Sequence, residues 1–126
     1  MKETAPAENL HSHITGQHRE LLDEVLDKWS LLVLDKLCES PRRFNELRRA
    51  MPTVSQKSLT ASLRRLERNG MVERLIIGTR PIAVEYRISD LGRSLQDLID
   101  ALLLWSTTQM AEVNQARERF DTEQQA

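Results

Sequence analysis

The 126-residue chain is poor in the residues that mark several protein classes. Its only cysteine, Cys38, excludes an intramolecular disulfide and a zinc site built from several thiolates. Four glycines, four prolines and no biased tract argue against a fibrous or disordered chain. The longest apolar run, Ala101–Trp105, is far below the roughly 18 residues of a membrane span. With no apolar stretch near Met1 to suggest a secretory signal, we expect one cytoplasmic domain without a membrane partner.

Motifs of catalytic chemistry are also missing. The sequence has no glycine-rich phosphate loop, no GxSxG nucleophile motif and no HExxH metal motif. We therefore predict that the protein is not an enzyme and has no cofactor. His11, His13 and His18 are the one group of metal-ligand type, but they lie in a polar segment without matching Cys or carboxylate ligands, so no metal site is predicted.

Charge is unevenly distributed along the chain, although the formal net charge is only −1. Residues 42–93 hold 12 Lys or Arg against 5 Asp or Glu, whereas the rest of the chain has 6 bases and 14 acids. Eleven of the 12 bases are Arg, whose planar guanidinium suits phosphates and guanine edges. A basic middle between acidic ends indicates a surface for a polyanion, while ordinary solvated helix faces are the alternative that charge alone leaves open.

The first half of the chain predicts helices. Apolar residues recur every three or four positions over Leu21–Leu37, which indicates one bent helix or two abutting helices that end near Glu39. Pro41 stops this helix. Asn45 is the predicted N-cap of a short helix that runs to about Met51.

The next segment changes from helix to hairpin. Ser55 is the predicted N-cap of a helix over Gln56–Asn69, and Gly70 follows where a left-handed conformation is favoured. The period then becomes that of strands over Met71–Ile77 and Ile82–Ile88. Because the Gly-Thr-Arg-Pro sequence between them is typical of a turn, we predict a β-hairpin.

A long helix completes the pattern. Ser89 caps it, and its many leucines leave so little polar circumference that it needs cover on more than one side. The polar residues 114–126 either extend this helix or fray. The order of elements predicts a mainly α fold with a small β-hairpin, a winged helix-turn-helix in residues 15–113 between polar tails 1–14 and 114–126.

The stretch Leu21–Trp105 also contains a series of motifs in a fixed order. They are Trp29-Ser30-Leu31-Leu32-Val33-Leu34, Arg43-Phe44-Asn45-Glu46-Leu47-Arg48-Arg49, Val54-Ser55-Gln56-Lys57-Ser58-Leu59-Thr60, Leu63-Arg64-Arg65-Leu66-Glu67-Arg68-Asn69-Gly70, Val84-Glu85-Tyr86-Arg87-Ile88-Ser89, Gly92 and Trp105. This series resembles the HxlR family of bacterial winged-helix regulators, relatives of the MarR group. The resemblance implies a homodimeric, DNA-binding transcription factor whose N- and C-terminal helices build the dimer.

At two places this chain lacks residue pairs that are typical of that family. Many of its members resemble redox or electrophile sensors with a Cys-Pro pair about thirteen residues before the Trp, where this chain has Gly16-Gln17. Leu26-Asp27 also replaces a Gly-Gly pair. We therefore do not expect thiol sensing by the family's common route, and we interpret Cys38 as a packed small side chain.

The second helix of a helix-turn-helix enters the major groove with its N-terminal residues leading. Side chains facing away from its leucines can pair with base edges. The predicted reading set is Ser55, Gln56, Lys57, Thr60 and Arg64. Predicted phosphate or wing contacts are Arg42, Arg43, Arg48, Arg49 and, in the minor groove, Arg80 of the hairpin turn. Trp29, Phe44 and Tyr86 are predicted to pack in the core rather than to stack on bases.

Apolar side chains of the first and last helices predict a homodimer. The predicted interface is Leu21, Leu22, Val25, Leu95, Leu98, Leu102 and Trp105. A dimer would present two reading helices about one DNA turn, roughly 34 Å, apart and so favour an inverted repeat, with repression as the predicted mode. A small-molecule effector of unassigned chemistry is a further expected partner. The rival hypothesis is a winged helix that uses its basic residues to bind an acidic protein.

Overall fold

The structure, a computed structural model, describes residues 14–125, in which helices and strands follow the predicted order. They are α1 (Gly16–Val25), α2 (Lys28–Glu39), β1 (Arg42–Arg43), α3 (Phe44–Ala50), α4 (Gln56–Arg68), β2 (Val72–Ile77), β3 (Ala83–Ile88) and α5 (Asp90–Gln125). This arrangement confirms the predicted winged helix-turn-helix. Residues 1–13 of the predicted N-terminal tail, with His11 and His13, lie outside the described range.

The sheet has three strands rather than the two of the predicted hairpin. Its order is β1-β3-β2, and both pairings are antiparallel. In β1, Arg42 lies opposite Tyr86 and Arg43 lies opposite Glu85. A two-residue strand shows no periodicity in sequence, which is why its pairing with β3 could not be predicted.

The break between α1 and α2 settles the alternative of one bent helix or two in favour of two helices. Leu26 is the C-cap of α1 and Asp27 is the N-cap of α2. The Asp27 Oδ1 atom accepts hydrogen bonds from the backbone N–H groups of Trp29 and Ser30, each at 3.0 Å. These bonds satisfy donors that would otherwise be unpaired at the start of a helix.

The prediction that Asn45 caps α3 is wrong, because the helix begins two residues earlier with Arg43 as its N-cap. The Glu46 Oε1 atom accepts a hydrogen bond from the backbone N–H of Arg43 at 2.7 Å. This reach of the third helical residue back to the cap is one half of a capping box. A glutamate at that spacing therefore determined the helix start more strongly than the cap propensity of Asn45.

The two ends of α4 agree closely with the prediction. The Ser55 hydroxyl oxygen accepts a hydrogen bond from the backbone N–H of Ser58 at 3.0 Å, which confirms the cap. The helix ends at Arg68, one residue before the predicted end, and Gly70 has a φ of 80°. The backbone N–H groups of Gly70 and Met71 donate to carbonyls of the last turn at 3.0 and 2.9 Å. These two bonds form a Schellman motif, which requires the left-handed residue.

The start of α5 is fastened to the turn that follows α4. The Ser89 hydroxyl donates to the Gly70 carbonyl at 2.6 Å and accepts from the Gly92 N–H at 3.0 Å. The Ser89 N–H donates to the Met71 carbonyl at 3.0 Å. Gly92 is buried so closely against Met71 that a Cβ atom there would collide with the Met71 carbonyl. We call the contact of Gly70, Met71, Ser89 and Gly92 the Gly92 junction.

The core lies between α2, α4 and the sheet. The side chains of Val33, Leu34, Leu47, Leu59 and Leu66 are fully buried. Partly buried aromatic side chains pack around them, and these are Trp29, Phe44 and Tyr86. The prediction that these aromatics belong to the core is confirmed.

Helix α5 continues through the polar segment and reaches Gln125, so residues 114–125 extend the helix rather than fray. At 1.5 Å per residue its 36 residues span about 54 Å. Despite that length, no helix within residues 14–125 is long and apolar enough to cross a membrane.

Candidate nucleic-acid interface

One side of α4 gathers most of the predicted reading set. Gln56, Lys57, Thr60 and Arg64, together with Ala61, line a single shallow depression. The four polar side chains are exposed, whereas Leu59, Ser62, Leu63 and Leu66 of the same helix are buried on its other side. Helix α4 is therefore amphipathic, and its polar and apolar faces are the ones that the sequence predicted.

Ser55 lies beside this face, at the end that would lead into a groove. Its hydroxyl oxygen is engaged in the cap, but a hydroxyl keeps one hydrogen that can be donated to a phosphate. The first turn of α4 contains no acidic residue. The positive end of the helix dipole is consequently not neutralised by a neighbouring carboxylate.

Among residues 14–125, five of the twelve bases in residues 42–93 are paired with carboxylates of the same chain. The pairs are Arg42–Glu39, Arg65–Asp27, Arg68–Glu24, Arg74–Glu67 and Arg87–Glu73. Arg42 also donates to the Lys36 carbonyl at 3.3 Å, and its guanidinium lies 2.7 Å from Glu39. This guanidinium is engaged by Glu39 and the Lys36 carbonyl in the single chain, and the role of Arg42 as a phosphate contact stays a prediction.

The remaining predicted basic contacts are exposed. Arg43 ends β1, and Arg48 and Arg49 line one shallow depression of α3 with Asn45. Lys57 and Arg64 stand on α4. These five bases form no ion pair with another of the described residues. Their charges are therefore available to an external anion.

Arg80 lies at the turn of the wing, the hairpin formed by β2 and β3. It is exposed and is joined to Pro81 by a cis peptide bond. Gly78 enters the turn with a φ of 75°, a conformation that favours glycine. As predicted, the wing carries an arginine at its tip, and no ion pair within residues 14–125 neutralises it.

Carboxylates from the first two helices hold the far end of α4. The Asp27 Oδ2 atom accepts hydrogen bonds from the Ser30 hydroxyl at 2.9 Å and from Arg65 Nη2 at 2.8 Å. The Glu24 Oε1 atom accepts from Arg68 Nη1 at 2.8 Å and from Asn69 Nδ2 at 2.7 Å. We call this arrangement the α4 clamp. Sequence reasoning counted Arg65 and Arg68 only as basic residues, because their partners lie about forty positions away.

The α4 clamp lowers the pKa of both carboxyl groups. For Glu24 the hydrogen bond from Asn69 is the main cause, with a further contribution from Arg68. For Asp27, burial raises the pKa, but hydrogen bonds from Ser30 and Arg65 outweigh that effect and the net pKa is lowered. Hydrogen bonds to a carboxylate favour its charged form.

Acid should therefore release the α4 clamp. A carboxyl group whose pKa is lowered by folding stabilises the native state above its unfolded pKa, about 4.5 for Glu24 and 3.8 for Asp27. This stabilisation is lost as the pH falls through the lower, folded values. We expect the free energy of unfolding, measured by urea denaturation, to decrease below about pH 4.5. In Asp27→Asn the decrease should be smaller. A matched control is Asp35→Asn on the exposed side of α2, and equal pH profiles for the two variants would contradict the prediction.

A second surface is apolar and lies on α1 and α5. Leu21 and Leu22 are 40% and 44% exposed, and Leu98, Leu102 and Trp105 are 68%, 57% and 56% exposed. At 100° per residue, the three α5 residues fall on one stripe of the helix. This stripe is the part of the predicted interface that a second protomer could cover.

Two residues of the predicted interface are placed differently. Val25 is only 1% exposed and belongs to the core, so its assignment to the interface is corrected. Leu95 is partly buried and packs against that core. Conversely, the predicted interface set does not include several other exposed apolar residues of α5, namely Leu91, Leu103, Leu104, Met110 and Phe120. Extending the helical period beyond Trp105 would have identified Phe120 as a further residue of the Leu98 stripe.

The other singled-out residues have local roles. Cys38 is half-buried at the end of α2, with Arg93 Nη1 at 3.7 Å from its Sγ atom. His18 Nδ1 accepts a hydrogen bond from the Thr15 N–H, while the Thr15 hydroxyl accepts from the His18 N–H, so Thr15 caps α1 and His18 completes the capping box. Within residues 14–125, no group of His, Cys, Asp and Glu is arranged to hold a metal ion.

Comparison with known proteins agrees with this architecture. Residues 24–114 match the family described as HxlR-like helix-turn-helix. The HTH-type transcriptional regulator YdzF of Bacillus subtilis is 42% identical over 83 residues, 65% of this chain and 76% of the relative. YtcD of the same organism is 37% identical over 92 residues, 73% of both chains.

Solved structures extend the likeness to three dimensions. The crystal structure of the HTH-type regulator YtcD superposes with a TM-score of 0.69 at 34% identity, covering 77% of this chain and 98% of that one. The regulator YtfH of Salmonella typhimurium gives 0.68 at 37% identity, covering 79% and 89%. These relatives are regulators, which confirms that the protein is not an enzyme. The chain belongs to the HxlR-like helix-turn-helix family of DNA-binding transcriptional regulators.

Proposed function

We propose that the protein is a sequence-specific repressor that acts in the cytoplasm as a homodimer on an inverted-repeat operator. The observation that carries this proposal is the polar face of α4, where Gln56, Lys57, Thr60 and Arg64 are exposed together and none is paired with a carboxylate of the described chain. In a helix-turn-helix, this helix enters the major groove. Amide and guanidinium groups can then pair bidentately with adenine and guanine.

Residues around that face would position the protein on the DNA. Ser55, Arg43, Arg48 and Arg49 offer donors for phosphates, which fix the register on DNA without reading its sequence. Arg80 at the wing tip suits a narrow minor groove, where the negative potential attracts arginine. The α4 clamp supports this arrangement from the other end of the helix, since it holds Arg65 and Arg68 to α1 and α2 and leaves the leading end of α4 unobstructed.

The test is binding to DNA that the protein itself selects from a random library. Fluorescence anisotropy on the selected duplex and on a scrambled duplex should show a preference of about a thousandfold at physiological salt. Arg64→Ala should lower the affinity for the selected duplex by roughly 10- to 100-fold, the range for one bidentate base contact. Arg117→Ala, which removes an exposed arginine of distal α5, is the matched control and should bind normally.

The alternatives give different results. Failure to enrich any sequence, with weak binding that salt abolishes equally on both duplexes, would reject sequence-specific recognition. The rival partner, an acidic protein, would then become the better explanation of the basic residues. Repression is tested separately by placing the selected site over a promoter, where the protein should decrease reporter transcription and Arg64→Ala should restore it.

A further inference from the structure

The outer half of the wing is apolar, although its exposed side chains do not cover the core of the described chain. Residues 75–83 contain five Leu, Ile or Ala side chains, one arginine and no acid. Ile76 and Ile82 are 67% and 71% exposed, so their side chains project into solvent. A short hairpin that only had to be soluble would carry polar residues at these positions.

Strand register places Ile76 on the face of the sheet whose inner end covers the core. Val72 lies opposite Ile88, Arg74 opposite Tyr86, and Ile76 opposite Val84, and alternation puts all three pairs on the same side of the sheet. Ile82 directly precedes β3 and so lies at the turn, beside the outer end of this row. Val72 and Ile88 are buried, which means that the inner end of the row covers the core. The outer end continues past the core, and Ile76 there is exposed among the residues that the structure describes.

The same face is turned toward α4. Arg74, in the middle of the row, lies 3.6 Å from Glu67 of α4 through its Nε atom. Ile76 is therefore farther out along the side of the wing that adjoins the reading helix, and Ile82 lies beyond it at the turn. Arg80 flanks them at the turn, and the acids nearest in sequence are Glu73 and Glu85, of which Glu73 is paired with Arg87.

We propose that the outer wing is an apolar wedge for the minor groove, in which Ile82 and Ile76 press against sugars and base edges while Arg80 binds in the groove. The proposal rests on the proposed function and adds a contact that reads DNA deformability. Electrostatic complementarity selects DNA as the occupant, because a tip without acids, whose arginine forms no ion pair within residues 14–125, suits a polyanion. Isoleucine is among the side chains that other minor-groove proteins insert at base steps, which they partly unstack and kink.

This wedge predicts a preference at a position outside the bases that α4 reaches. Pyrimidine–purine steps, such as TA, are the most easily unstacked. The DNA selected by the protein should therefore carry such a step where the wing lies. A wing that contacted only phosphates would leave that position random.

The experiment compares wild type, Ile76→Ala/Ile82→Ala and Arg80→Ala on the selected duplex. We expect the double variant to bind roughly tenfold more weakly with an unchanged dependence on salt, because apolar contacts release no counterions. Arg80→Ala should instead reduce the log-log salt slope by about one. A 2-aminopurine placed at the flanking step should fluoresce more strongly with wild type than with the double variant, which reports loss of unstacking.

Three results would overturn the wedge. The first is wild-type affinity of the double variant, with the same 2-aminopurine signal. The second is a change in its oligomeric state, measured by light scattering, which would assign the isoleucines to a contact between protein chains. The third is a changed unfolding midpoint, which would make them structural. Because wild-type selection of a specific site is scored first, failure of the proposed function is distinguished from failure of the wedge.

Discussion

Replacing Gly92 with Ala is expected to destabilise the protein by about 3 kcal/mol, at the upper end of the usual cost of overpacking. The added Cβ atom would overlap the Met71 carbonyl oxygen and lie 2.7 Å from Ile88 Cγ1. Neither neighbour can rotate away easily, since one is backbone and the other belongs to a buried, β-branched side chain. The start of α5 would therefore have to move, and the hydrogen bonds of the Gly92 junction would be lost with it.

Two other glycines provide matched controls for the same substitution. Gly16→Ala, in the first turn of α1, meets no atom within 4 Å and should leave the unfolding free energy unchanged or slightly higher. Gly70→Ala should cost about 1 kcal/mol, because its φ of 80° disfavours a side chain. Urea denaturation should thus rank Gly92→Ala well below Gly70→Ala and Gly16→Ala. Equal stability of Gly92→Ala and Gly16→Ala would contradict the packing at the junction.

Replacing Leu102 with Asp is expected to separate the proposed dimer without unfolding the protomer. Leu102 is 57% exposed in the single chain, so a carboxylate there remains solvated in the monomer. In a twofold dimer the same change introduces two charges into one apolar contact. A buried, unpaired charge costs about 3–5 kcal/mol, which predicts a rise in the dissociation constant of several hundredfold or more.

The measurement is sedimentation equilibrium combined with DNA binding. Leu102→Asp should sediment as a folded monomer with an unchanged circular dichroism spectrum, and its affinity for an inverted repeat should decrease because only one half-site is held. Thr107→Asp lies on the side of α5 opposite Leu98 and is the control. A monomeric wild type, or a Leu102→Asp variant that remains dimeric, would show that the α5 stripe is not the dimer interface.

Local signals made most of the fold predictable. Caps such as Ser55 and Ser89, and Gly70 after α4, mark helix ends through contacts within a few residues, so the sequence contains both partners. The one cap that was assigned incorrectly, Asn45, shows how two local signals compete. Glu46 reaches back to Arg43, and this contact defines the start of α3.

Contacts between distant residues were the part that could not be predicted. The charge count of residues 42–93 contained no sign that Arg65 and Arg68 would meet Asp27 and Glu24. Helical phase separated exposed from buried side chains on α4 correctly, since one period holds throughout that helix. At Val25 phase was insufficient, because a residue on an apolar stripe can face the core or a partner, and only the packing of other helices decides which.

Because α5 is long, movement at its far end acts on the Gly92 junction through a very small change of angle. A straight rod of about 54 Å that tilts by one degree moves its far end by roughly 1 Å. At Ser89 and Gly92, α5 is held against the turn that joins α4 to the wing. The Met71 carbonyl fills the space into which Gly92 would have to move. We therefore expect a small displacement of distal α5 to rotate the reading helix and the wing together.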